Sequence, residues 1–140
     1  MYFFVIMNIF RENSPILLVS RAVLAFSWIY QGAVPKVICR SPAEIELLQY
    51  VTGAQELACT MILWMGFGEI LFGIILLFTR RGWIFLLNVP ALLILLGYVA
   101  VFHPALFTLP FNPLVLNVSL IGMSFIAYSE LGKAGEHAGC

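Results

Sequence analysis

The chain predicts an all-α integral membrane protein, an up-and-down bundle of four transmembrane helices, and three observations lead there. Mean hydropathy is +1.02. Of the 140 residues, 62% are hydrophobic and 10% charged, with no Asp at all. Four apolar stretches, at about 15–34, 56–78, 83–102 and 113–129, approach the ~20 helical residues that cross a hydrocarbon layer of about 30 Å. A soluble fold of this length could not bury so much apolar surface in so small a core, so lipid supplies the missing environment. Strands are excluded, because open sheet edges do not exist in lipid and none of the four runs alternates with period two. Residues 1–140 read as a single transmembrane domain with an external loop at 35–55.

The first span opens at Pro15 after Ser14, where a missing N–H does no harm, and Pro35 is expected to stop it. The second and third spans are joined by Thr79-Arg80-Arg81-Gly82 alone, a link short enough to force antiparallel neighbours. Pro113 after Asn112 opens the fourth span as Pro15 opens the first. The N-terminal run 2–10 is too short to cross. It lacks a basic leader and a small-residue cleavage site, so it reads as a surface or bundle-packed lead-in rather than a signal peptide. Within the 35–55 loop, Ile45, Leu47, Leu48 and Val51 interleave with Glu44, Glu46 and Gln49, a pattern for a solvated loop with interfacial charges first, and for a short amphipathic helix over one mouth of the bundle second.

Seven basic and seven acidic residues cancel, so no basic patch argues for nucleic acid. Arg11, Arg80, Arg81 and Lys133 flank one side of the spans, Lys36 and Arg40 the other. That bias places both termini in the cytoplasm. Trp83 and Tyr128 at one boundary, and Trp28, Tyr30 and Tyr50 at the other, fit interfacial anchoring.

The functional signal lies in the charges inside the spans. Arg21 falls within the first and Glu69 near the middle of the second; an ionised group at such depth costs roughly 3 kcal/mol and faces protein, a wet cavity or a partner. Positions three and four apart share a helix face. Arg21, Ala25, Trp28 and Gly32 form one such stripe, and Gly66, Glu69 and Gly73 another, whose small residues permit close backbone approach. Asn88, Ala91, Leu95 and Tyr98 align on the third span, and Asn117, Ile121, Ser124 and Tyr128 on the fourth. Counted from one boundary, Arg21, Asn88 and Ser124 lie roughly 8–10 Å deep and Glu69 about 16 Å. The expected arrangement is therefore one buried polar cluster of Arg21, Glu69, Asn88 and Ser124, with Arg21 pairing with Glu69, and a candidate external mouth at Gln31, Lys36 and Asn117.

Three roles for that cluster stay open: an ion pair fixing helix register, the floor of a pocket for a polar head group such as a quinone carbonyl or a small anion, and a proton or transport path. Other constellations are weaker. Cys39 and Cys59 lie towards one side, as two apolar thiols or a disulfide. His103 and His137 are isolated, and no Cys-x-x-Cys, His-x-x-His or Glu-x-x-His pattern occurs, so no metal site is expected. Gly66-Phe67-Gly68 lies inside an apolar helix and reads as packing rather than a phosphate loop. No catalytic set emerges, and whether the chain is an enzyme stays undecided.

Trp28-Ile29-Tyr30-Gln31-Gly32-Ala33-Val34-Pro35-Lys36 at the end of the first span resembles the corresponding segment of the DoxX-like family of small bacterial membrane proteins, in the wider DoxX/DoxD group. So does His103-Pro104-Ala105-Leu106-Phe107-Thr108-Leu109-Pro110-Phe111-Asn112-Pro113 followed by Leu116-Asn117, and the Gly68-Glu69 step fits the same pattern. The resemblance implies a four-helix bundle of the bacterial cytoplasmic (inner) membrane. Its wider group includes subunits resembling those of thiosulfate:quinone oxidoreductase, an analogy of fold that carries no chemistry by itself. The reading that follows is a membrane subunit or scaffold of unassigned activity with a buried polar cluster, in contact with the lipid bilayer. The alternative is a quinone- or lipid-linked redox component beside a membrane or soluble oxidoreductase. No cofactor is evident, a quinone and a homo-oligomer stay open, and transport is poorly supported because no internal repeat is seen.

Overall fold

The structure, a computed structural model, describes residues 14–138; the lead-in 2–10, Arg11 and Cys140 lie outside them, as does the His137 side chain. Five α-helices follow in order: α1 (Pro15–Gly32), α2 (Pro42–Thr52), α3 (Gln55–Phe78), α4 (Gly82–Phe102) and α5 (Pro113–Ala138). A π-helical segment, Ala33–Ile38, continues α1, and a 3₁₀ turn, Pro104–Thr108, precedes α5. No strand occurs among the described residues. Four segments are long and apolar enough to cross a membrane: Pro15–Ile38, Gln55–Phe78, Gly82–Phe102 and Pro113–Glu136. At ~1.5 Å per residue each is roughly 31–36 Å long, matching the hydrocarbon layer. The fold is an all-α membrane bundle.

Two compact units make up the chain. One comprises α1 up to Val23 together with everything from Thr79 onward; the other runs from Leu24 to Phe78.

In the second unit, the later part of α1 lies against α3 at glycines. A Cβ on Gly66 would stand 2.8 Å from the Gly32 carbonyl oxygen, and one on Gly73 2.9 Å from that of Ala25. Removing the side chain is what lets the backbones approach, and dispersion contacts then replace contacts with lipid. Trp28 is buried by this packing, its ring edge-on to Phe72 at 5.1 Å. The expected interfacial role for Trp28 is thereby corrected, because its face of α1 is the packed one. Pro35 does not stop the helix either. The backbone widens into the π-helical turn, in which Cys39 N–H reaches the Val34 carbonyl at 2.9 Å, and the widened spacing accommodates a residue with no N–H to donate. α2 begins with Pro42 after Ser41 and ends at Gly53, whose φ of 69° is the left-handed conformation that closes a helix. It packs on α3.

In the first unit, α4 packs against α5. Ser14 caps α1 by accepting the Leu17 N–H at 3.2 Å, and Asn112 caps α5 by accepting that of Val115 at 3.0 Å. Both caps satisfy helix-end donors otherwise left orphaned. α5 continues to Ala138, past the expected end at 129. Its polar final turns, which include a Glu130–Lys133 pair at 2.8 Å, are still helical although too polar for the hydrocarbon layer, because hydrogen bonding rather than hydropathy sets helix length.

Candidate functional site

Glu69 projects from the middle of α3, and its partner is Lys36 of the π-helical segment. The Lys36 ammonium lies 2.5 Å from one carboxylate oxygen and 2.6 Å from the other. The Lys36 residue is only 6% exposed, and the Glu69 side chain 11%. Glu44, on α2, adds a second carboxylate 3.5 Å from the same ammonium. One cation thus serves two carboxylates, contributed by three segments. Close, desolvated, charge-assisted hydrogen bonds of this kind are strong, and each buried ion would carry a large penalty if its partner were removed.

Packing dictates the geometry. The Gly66 position lies against both the Gly32 carbonyl and the Lys36 Cβ, which brings the π-helical segment onto the α3 face three residues before Glu69. The widened turn of Ala33–Ile38 then aims Lys36 along that face instead of outward.

Arg21 belongs to the first unit and is 2% exposed. Its Nη2 donates to the Thr79 carbonyl at 2.7 Å, and its guanidinium lies 5.9 Å from the centroid of the Phe85 ring, a cation–π distance. Its Nε is buried with no acceptor among the described residues. On α4 and α5, Asn88 Nδ2 donates to Ser124 Oγ at 2.7 Å, and the Ser124 hydroxyl in turn donates to the Leu120 carbonyl at 2.9 Å. Both side chains are fully buried, so each polar group has a partner where lipid offers none. Near the end of α5, Glu130 accepts from Ser14 at 2.7 Å and from Lys133 at 2.8 Å.

These contacts redraw the expected cluster. Arg21 was expected to pair with Glu69; Lys36 takes the carboxylate instead, and Arg21 finds a helix-end carbonyl. Asn88 and Ser124 do meet. Of the three mouth residues, Gln31 is exposed, Asn117 is buried, and Lys36 is part of the charged group itself. Lys36 could have been found from the sequence. The stripe Arg21, Ala25, Trp28, Gly32 reaches it with one more step of four residues, a step that lies beyond Pro35, the expected end of the helix. Cys39 and Cys59 are free thiols, and no group of three or more metal-ligating side chains occurs among the described residues.

Neither a curated protein nor a solved structure matches this chain. The profile of the DoxX-like family matches residues 25–125, well over half of the sequence, and includes both the segment that closes α1 and the Pro-rich turn before α5. The chain, a multi-pass membrane protein whose spans bring it into contact with the lipid bilayer, belongs to the DoxX-like family.

Proposed function

We propose that the protein is a membrane subunit or scaffold whose intramembrane charges hold its helices in register rather than bind a substrate. One observation carries this reading: both oxygens of Glu69 are taken by a single buried lysine of the same chain. A carboxylate whose charge is already matched and whose side chain is 11% exposed is a poor site for a ligand, and polar groups of this kind can specify which helix faces meet. The wide apolar exposure of Phe26, Trp64, Ile94 and Val101 suits contact with lipid or with a partner's spans, including a second copy of the chain. The proposed setting is the bacterial cytoplasmic membrane with both termini inside. The excess of Arg11, Arg80, Arg81 and Lys133 over Lys36 and Arg40 supports that orientation.

The test is a comparison of Glu69→Gln with the doubly apolar Lys36→Met/Glu69→Leu. The single substitution leaves the buried ammonium with only the more distant Glu44 carboxylate, 3.5 Å away, and is expected to reduce folded yield; the double one restores it, together with recovery of whatever partner co-purifies from native membranes. A Glu69→Gln protein that folds normally but loses its cellular phenotype would overturn the scaffold reading.

A second reading is a quinone- or lipid-linked redox component working beside an oxidoreductase. Arg21 favours it, since a buried guanidinium whose Nε–H meets no acceptor among the described residues is a donor suited to a quinone carbonyl oxygen. Organic extraction of protein purified in mild detergent, followed by mass spectrometry, tests it: a stoichiometric quinone lost in Arg21→Gln supports this reading, and its absence from wild type removes it.

A further inference from the structure

Where α4 begins and α5 approaches its polar end, the first unit carries a groove of about 580 Å³. It is lined by Arg80, Gly82, Trp83, Tyr128, Lys133 and Glu136 among others. None of these residues belongs to the charged groups described above except Lys133, which pairs with Glu130 while its side chain stays 64% exposed.

The lining combines two chemistries. Arg80 and Lys133 bring positive charge from two separate elements, against the single carboxylate of Glu136. Trp83 and Tyr128 are half-exposed aromatics, the side chains that settle at the head-group level of a bilayer. The absence of a side chain at Gly82 is part of the groove's shape, since a Cβ there would meet the Tyr128 ring at 3.0 Å. Gly82 opens one span, and the other ends at Glu136. The groove therefore lies where apolar helix gives way to polar chain, the part of a span that borders the head-group region of a bilayer.

We propose that this groove seats the phosphate of an anionic membrane lipid, with Arg80 and Lys133 as its counter-charges and Trp83 and Tyr128 against the upper part of its acyl chains. The Glu130–Lys133 pair does not oppose this, because its Lys133 side is 64% exposed to solvent and an ammonium has three donors to share. Arg81, the neighbouring cation in sequence, does not line the groove. That contrast separates a seated phosphate from general attraction between a basic loop and an acidic leaflet.

The experiment is native mass spectrometry of the full-length protein, released from micelles preloaded with equal amounts of phosphatidylglycerol and phosphatidylcholine of identical acyl chains. Each basic contact near an anionic head group is expected to contribute about 5-fold, so wild type should retain phosphatidylglycerol roughly 30-fold over phosphatidylcholine. Arg80→Gln and Lys133→Gln should each lower the ratio about 5-fold, Glu136→Gln should raise it, and Arg81→Gln should leave it unchanged. Lys133, on the surface, offers a variant that folds even should Arg80→Gln fail to do so. Equal retention of the two lipids by wild type, or a loss in Arg81→Gln equal to that in Lys133→Gln, would overturn the proposal. So would displacement of phosphatidylglycerol by millimolar inorganic phosphate, which would assign the groove to a free anion.

Discussion

Replacing Gly66 by Ala tests the packing that brings Lys36 to Glu69. A Cβ at this position would lie 2.8 Å from the Gly32 carbonyl oxygen, 2.9 Å from the Lys36 Cβ and 3.0 Å from a Val37 methyl. Ordinary contact begins near 3.4 Å, so three atoms, two of them backbone or next to it, must each retreat by about half an ångström. Over-packing of this kind costs about 1–3 kcal/mol. Ala also has higher helix propensity than Gly by roughly 1 kcal/mol, which partly hides the effect. Gly68, two residues along the same helix, supplies the correction: a Cβ there meets nothing within 4 Å. Gly68→Ala therefore gains the propensity without the clash, and the difference between the two variants isolates the packing cost at about 1–3 kcal/mol. Reversible unfolding in mixed micelles, titrated with a denaturing detergent and followed by circular dichroism, measures both. Stabilities within about 0.5 kcal/mol of each other, the scatter of unimportant surface changes, would refute the close approach of these helices and with it the stated reason for the position of Lys36.

Three further outcomes follow from the same contacts. Glu69→Gln should destabilise the protein by at most about 3–5 kcal/mol, the cost of breaking a buried pair from one side, because Glu44 remains 3.5 Å from the ammonium, and Lys36→Met/Glu69→Leu should recover most of the loss; the same unfolding titration reads both. A double-mutant cycle on Asn88→Ala and Ser124→Ala should give a coupling of about 0.6 kcal/mol and no more than ~1.7, the range for hydrogen bonds between membrane helices, and a coupling of zero would deny the Asn88–Ser124 bond. Under the proposed orientation a membrane-impermeant maleimide labels the exposed Cys39 in intact cells, while a cysteine introduced as Ser129→Cys reacts only after permeabilisation; the reverse pattern inverts the topology.

Hydropathy alone located the four spans, and Ser14 with Pro15 and Asn112 with Pro113 marked two helix starts that the caps of α1 and α5 confirm. These features are local: transfer of a segment into lipid sums over its own residues, and a cap acts within one turn. The stripes were legible for the same reason, and Arg21, Ala25, Trp28 and Gly32 are all buried. What those faces meet was not legible. Trp28 looked like an interfacial anchor because a sequence shows depth but not which side of a helix carries a neighbour. Lys36 looked like a flanking charge because the π-helical turn that carries the chain past Pro35 leaves no signature in residue types.

The amino-acid order therefore settled that this chain lives in a bilayer, where it crosses, and which side chains are too polar to face lipid. Only the folded protein decided that Glu69 belongs to Lys36, and that Arg21 answers to the Thr79 carbonyl. For Glu69, partner choice depends on how closely two backbones approach at Gly32, Gly66 and Gly73, and that distance is fixed by residues far apart in the chain acting together.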